Sequence, residues 1–268
     1  MQLVFPRRFL VCLAVFLLAV VFVGGGLVWF FGLPLEAWYY ARRIPVLRET
    51  PAPVRDEAIT ESSGRTITFC GSEFDVPWND LNDAKTKSGG NSTTLYFESG
   101  LVALVKCLPP REFVAGVLSS IKVSPKSFGQ AFGDSALESD YALWRIILET
   151  TPDALNVRTP HRQQGALMAL LVLKAMATPR ADSGMFSIHG DGFDGFQYQD
   201  PQSKTRPDWV LMDLFAKDRG LEFQFFLNYH GASPHVSQAD INRIVRTVRK
   251  VAPPYPPLKQ ASLTPSRN

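Results

Sequence analysis

The chain has 268 residues, 46% hydrophobic and 20% charged, with 28 Lys and Arg against 25 Asp and Glu and a net charge of +3. With 19 Gly, 20 Pro and 3 Cys it is neither a collagen-like repeat nor a cysteine-stapled miniature, and its apolar share excludes a wholly disordered chain. The charge is uneven: Arg7, Arg8, Arg42, Arg43 and Arg48 against Glu36 give residues 1–48 a net +4, which leaves the remainder at −1. A nucleic-acid-binding domain would carry its basic footprint on the folded part, so no nucleic-acid partner is expected.

No charged residue occurs from Phe9 to Leu35. A bilayer core of ~30 Å needs ~20 apolar residues in a helix, so the sequence predicts a short tail over 1–8 and a transmembrane helix over 9–33. Arg7 and Arg8 before it, and Trp38, Tyr39, Tyr40, Arg42 and Arg43 after it, are the residue types of a membrane interface. Gly24, Gly25 and Gly26 imitate the cleavage region of a signal peptide. The apolar character nevertheless runs on to Leu33, beyond the ~7–15 residues of a signal-peptide core, which favours an uncleaved single-pass anchor. Cys12, early in the run and after the bulky Val11, reads as a buried membrane cysteine rather than a lipid attachment point. Arginines are nearly balanced across the segment; the short tail favours an inside N-terminus and a translocated C-terminal domain. The bilayer is thus the first expected partner.

Residues 34–65 read as a juxtamembrane segment and linker, with a short interfacial helix over 35–43 and an extended spacer at Thr50-Pro51-Ala52-Pro53. Order is expected from about Thr66, in a globular domain over 66–250.

Four hairpins follow by register. A turn at Gly71-Ser72 sets Phe69 opposite Phe74 and Ile67 opposite Val76. One at Ser99-Gly100 sets Phe97 opposite Val102 and Leu95 opposite Leu104. A loop at Arg219-Gly220 sets Leu214 opposite Phe225, Met212 opposite Leu227 and Lys217 opposite Glu222. The fourth pairs Phe186 with Tyr198 and Ile188 with Phe196 across Gly190–Asp194.

Helices separate and follow these strands. A weak one is expected over Arg111–Ser120. Ser135-x-x-Glu138 has the spacing of a capping box before Tyr141, Leu143, Trp144, Ile147 and Leu148, with Thr151-Pro152 as the stop. Thr159 and Pro160 open the next, which runs to about Ala177; its apolar stretch, Ala166 to Leu173, is too short to span a membrane and reads as a buried helix. Ser237-x-x-Asp240 caps a last helix with Ile241, Ile244, Val245 and Val248 on one face and Arg243, Arg246, Arg249 and Lys250 elsewhere. Its basic face reads as solvated rather than as an anion site. Residues 251–268 are expected to be a proline-rich disordered tail, within which Pro254-x-x-Pro257-x-Lys259 has the form of a proline-motif ligand. The fold class is α+β: a mainly antiparallel sheet built from hairpins and packed with helices.

The segment Phe74-x-Val76-Pro77-Trp78, together with Leu221-Glu222-Phe223-x-Phe225 leading to the helix Ile241–Val248, resembles the ends of PsbP/Mog1-like domains. That resemblance implies a binding or assembly role.

Sequence patterns for chemistry are sparse. The phosphate-cradling loop Gly-x-x-x-x-Gly-Lys-Ser/Thr, His-Glu-x-x-His and Gly-x-Ser-x-Gly do not occur, and no Gly-x-Gly-x-x-Gly follows a strand into a helix as a dinucleotide fingerprint must, so no cofactor is expected. His189, Asp191 and Asp194 place an imidazole and two carboxylates in one loop, which His230 and His235 could approach, the only candidate metal ligands. Gly and Asp also serve a hairpin loop directly, through positive φ and local hydrogen bonds. Cys70 and Cys107, in predicted strands, are either a disulfide pair in an oxidising compartment or two unpaired buried thiols. The expectation is a membrane-anchored domain with a non-catalytic binding or assembly role at the cell envelope, with a protein partner. The alternative is an anchored enzyme, a metal-assisted hydrolase at His189, Asp191 and Asp194.

Overall fold

A computed structural model describes residues 32–57, 64–108, 116, 119, 124–156, 158–178, 184–202, 209–217, 222–229 and 236–251. The transmembrane helix expected over 9–33 lies outside these residues except at its end, and no described helix is long and apolar enough to cross a membrane. The tail expected over 251–268 lies outside them after Val251, as does the helix expected over 111–120 apart from helical residues 116 and 119.

The architecture is α+β around an eight-stranded, mainly antiparallel sheet. The first described elements are helix α1 (residues 32–43) and a 3₁₀ turn, Pro45–Arg48. Strands β1 (Ala52–Pro53), β2 (Arg65–Phe69), β3 (Ser72–Val76), β4 (Lys87–Gly89), β5 (Ser92–Tyr96) and β6 (Leu101–Leu108) follow. Helices α2 (Pro125–Phe132), α3 (Asp140–Glu149) and α4 (His161–Ala177) are described after β6. The chain then forms β7 (Met185–His189), β8 (Phe193–Tyr198), β9 (Trp209–Ala216), β10 (Glu222–Tyr229), α5 (Gln238–Thr247) and β11 (Arg249–Lys250). The large sheet has the order β1-β7-β8-β9-β10-β6-β5-β4, with only β1 parallel to its neighbour; β11-β3-β2 form a second, three-stranded sheet.

Strand alternation gives the large sheet two apolar faces. Leu95, Leu101, Val105, Met212, Leu214, Phe223 and Phe225 form one core with Phe74 and Val76 of the small sheet and Ile241 and Ile244 of α5. Phe196, Tyr198 and Phe215 face the other way and pack with Phe128 of α2, Leu143 and Ile147 of α3 and Leu170 of α4. A third cluster lies outside α4, where Ala37 and Leu33 of α1 and Leu47 meet Leu155, Leu167 and Leu171.

All four hairpins form, each in a register different from the expected one. The first turns at Cys70-Gly71, both with positive φ (51° and 69°), as a two-residue primed turn requires. Phe69 therefore pairs with Ser72 and Ile67 with Phe74. In the third, Phe225 pairs with Met212 and Leu227 with Val210. Both are shifted by two residues, so the apolar faces are kept. Lys217 does not face Glu222, which pairs with Phe215; its ammonium lies 3.6 Å from Asp194 instead.

The other two slip by one residue, which turns one strand over. Glu98, Ser99 and Gly100 form a three-residue loop closed by Phe97 N–H to Leu101 O (2.9 Å), with Gly100 at φ 91°. Leu101, Ala103, Val105 and Cys107 are buried as a result, while Val102 and Leu104 lie on the opposite face. In the fourth hairpin His189 pairs with Asp194 and Ile188 with Gly195, sending Phe196 and Tyr198 to the helix face.

Three helix boundaries also differ. The N-cap of α3 is Ser139, which accepts from Ala142 N–H; Ser135 to Leu137 belong to a 3₁₀ turn. Helix α4 starts after Pro160, without a side-chain cap, while the Thr159 hydroxyl donates to Ala154 O. The capping box of α5 forms between Ser237 and Asp240, but the helix stops at Thr247, and Arg249 and Lys250 pair with β3 as β11.

The described part of the segment expected as a linker over 34–65 is built into the domain. Ala52 and Pro53 pair with Phe186 and Ser187 at the edge of the sheet, where a proline costs no ladder bond. Arg55 bonds Gln202 (2.8 Å) and Asp200 (3.2 Å), and Asp56 pairs with Arg246. Asn242 of α5 donates to the Arg55 carbonyl (2.9 Å) and belongs to a buried amide ladder with Gln238 and Gln197, whose amides bond reciprocally at 2.9 Å.

Candidate functional site

Helix α1 divides its residues by helical period. Ala37 and Ala41 are buried on the domain, while Leu35, Trp38, Tyr39 and Tyr40 are exposed. The guanidinium of Arg42 lies 3.7 Å from the Trp38 ring centre and that of Arg43 4.6 Å from the Tyr39 ring, one helical turn along in each case. The predicted interface residues Trp38, Tyr39, Tyr40, Arg42 and Arg43 thus form one exposed aromatic and cationic face; Arg7 and Arg8 lie outside the described residues. A groove of about 410 Å³ separates Leu35, Trp38 and Ala41 from Pro152 and Leu155, with Arg48 in its lining.

The turn after α1 is fixed by Lys174, the one cation within the apolar stretch of α4. Its side chain is fully buried, and its ammonium donates to Glu49 O (2.5 Å), Thr150 O (2.9 Å) and Leu47 O (3.4 Å). An ammonium has three donors, and here each meets a carbonyl. Burial lowers its pKa to about 8, against the pull of Glu49.

A second buried charge lies under α3. Asp213, in the middle of β9, is almost fully buried and accepts from the Gln224 amide of β10 (2.9 Å). The indole of Trp144 and the hydroxyl of Tyr198 face the same carboxyl. Burial raises its pKa to about 6, although these three donors favour the charged form. A carboxyl poised there has the acidity of a general acid or base. Enclosed by Trp144 and Tyr198, it holds α3 to three adjacent strands. The sequence signal was a single carboxylate within the apolar strand Trp209–Ala216.

At the loop between β7 and β8, His189 and Asp194 are brought together, Nδ1 to Oδ1 at 3.2 Å, with Lys217 3.6 Å from the same oxygen. Asp191 is exposed in the turn, and His230 and His235 lie outside the described residues. Among the described residues no three His, Cys, Asp or Glu side chains converge as a metal site would require. Asp194 also adds to burial in raising the pKa of Tyr141, which stacks on Phe196.

Cys70 and Cys107 are joined by a disulfide (Cα to Cα 6.6 Å). Cys70 occupies the turn rather than a strand, and the bond ties the tip of the small sheet to β6 of the large one.

No protein-family model, curated protein or solved structure matches this chain.

Proposed function

We propose that this protein is a single-pass membrane-anchored domain, held on the translocated side, that binds or assembles with another component of the cell envelope and has no catalytic role. The observation that carries the reading is α1. It continues out of the uncharged run Phe9–Leu35, exposes aromatic rings stacked with arginines, and is packed onto the domain through Ala37. An anchor joined this way sets the position of the domain. The Cys70–Cys107 disulfide supports the translocated side, because such bonds persist in oxidising compartments. The PsbP/Mog1-like resemblance supports an assembly role, and the two segments that carry it are in contact, with the rings of Phe74 and Phe225 5.0 Å apart.

Cross-linking in native membranes, with identification of what is captured, tests the assembly role. Protease protection of sealed vesicles tests the side. The expected result is a specific envelope protein cross-linked to a protected or externally cleaved domain according to vesicle orientation. Recovery of the full chain in the soluble fraction would overturn the anchor, and substrate turnover by the purified protein would overturn the non-catalytic role.

A further inference from the structure

We infer that the domain lies directly on the bilayer, through a platform made by the exposed side of α1 and the adjacent stripe of α4, with the lipid headgroup layer as its occupant. The inference rests on the anchored reading above and deepens it. An anchor alone is compatible with a domain held off the membrane on a stalk. The geometry of α1 is not.

Seven large hydrophobic side chains are exposed among the described residues, and six of them belong to these two helices: Leu35, Trp38, Tyr39 and Tyr40 of α1, and Val172 and Met176 of α4. Met176 is 79% exposed and Leu35 60%. The two helices that carry them are packed together. Met168, Leu171 and Ala175 of α4 pack in the cluster that holds α1, and Val172 and Met176 are each the next residue round the helix from Leu171 and Ala175. Four residues apart, they form one stripe. Scattered single apolar residues on a surface are ordinary, whereas their concentration on one helix pair marks an interaction face.

The occupant follows from where the chain enters this face. The uncharged run Phe9–Leu35 overlaps the start of α1, so no spacer separates the apolar segment from the platform. At ~1.5 Å per residue, Trp38 stands within ~5 Å of Leu35 along the helix and Arg42 and Arg43 within ~12 Å, so with α1 lying along the surface these rings and guanidiniums all meet the headgroup layer close to where the apolar run ends. Arg42, Arg43 and Arg48 against Glu36 and Glu49 leave residues 32–50 at a net +1, the sign that anionic headgroups attract. Lys174 and the cluster around Ala37 keep α1 from swinging free of α4, so the two helices meet the surface together. An amphipathic face of this kind sits ~5–10 Å into the headgroup and acyl boundary.

The test uses the full chain in vesicles of phosphatidylcholine and phosphatidylglycerol. A nitroxide is placed at Met176→Cys in a Cys12→Ser background, with Lys87→Cys on the exposed strand β4 as the water-facing reference. Accessibility to oxygen and to a nickel chelate is read by power saturation. The expected outcome is a severalfold higher oxygen-to-chelate ratio at position 176 than at position 87, reduced by Arg42→Gln with Arg43→Gln. Equal chelate access at the two positions, in protein that floats with the vesicles, overturns the platform and leaves the anchor standing. Shielding of 176 from both reagents marks a protein interface and overturns it too. Failure of the chain to float with vesicles overturns the anchor itself, and the platform with it.

Discussion

The sulfur of Cys70, in a left-handed turn at φ 51°, is bonded to that of Cys107 in β6, and the bond closes a separation of 37 residues between the small sheet and the large one. Cross-linking a loop of this length removes denatured-state entropy worth about 4 kcal/mol in the chain-entropy account. The double variant Cys70→Ser, Cys107→Ser should lower stability by about that amount, read as a lower urea midpoint that added reductant does not shift further. The parent should move to the same midpoint on reduction.

Lys174→Met should destabilise the protein by about 3 kcal/mol, because it leaves the buried carbonyls of Leu47, Glu49 and Thr150 without their donor. The loss should also be local. Limited proteolysis should cut the 3₁₀ turn Pro45–Arg48 faster than in the parent, while cleavage within β9 and β10 changes only with global stability.

Asp213 makes stability depend on pH. Its folded pKa of about 6 stands above the ordinary 3.8, so between those values the folded state binds the proton more tightly than the unfolded state. Its contribution is fully present below about pH 4 and is lost as the pH rises through about 6, a change of about 3 kcal/mol. Asp213→Asn should flatten this part of the profile, measured as urea midpoints across the same range. A parent profile that rises there as steeply as the variant's would refute the assignment.

Gly195→Ala should cost about 3 kcal/mol through overpacking. A Cβ at Gly195 would lie 2.2 Å from the carbonyl oxygen of Asp213 and 2.9 Å from Leu214 Cδ2. The first contact is backbone within a paired strand, so it cannot give way. Thermal unfolding of the variant should show the loss, whereas Gly192→Ala, with open space around it, should leave the midpoint nearly unchanged.

Sequence periodicity marked the strands, and parity decided which faces were legible. Where the true register differs by two residues, as at Phe225 opposite Met212, the inward residues are still Leu214, Met212, Phe225 and Leu227. Where it differs by one, Val102 and Leu104 exchange places with Leu101 and Ala103. The difference between the two cases is loop length, which Ser-Gly and Gly-Asp pairs do not specify without φ values. The capping box at Ser237 was legible because both its members are local. Lys174 was not, since its partners lie 24 to 127 residues away. The linker failed for the same reason: Pro51 and Pro53 signal an extended chain, and an extended chain at a sheet edge is a strand only when a partner such as β7 is present.

The central strand of the small sheet has neighbours from opposite ends of the domain. Glu73 of β3 faces Thr68 of β2 on one side and Arg249 of β11 on the other, and Val251 N–H reaches back to Gly71 O at 3.0 Å. During vectorial synthesis the first pairing is available within a few residues of β3, but the second must wait for nearly the whole domain. Until then the unfilled side of β3 is open to any passing strand, so this edge is where a nascent chain is most vulnerable to mispairing, and β11 is the last latch to close.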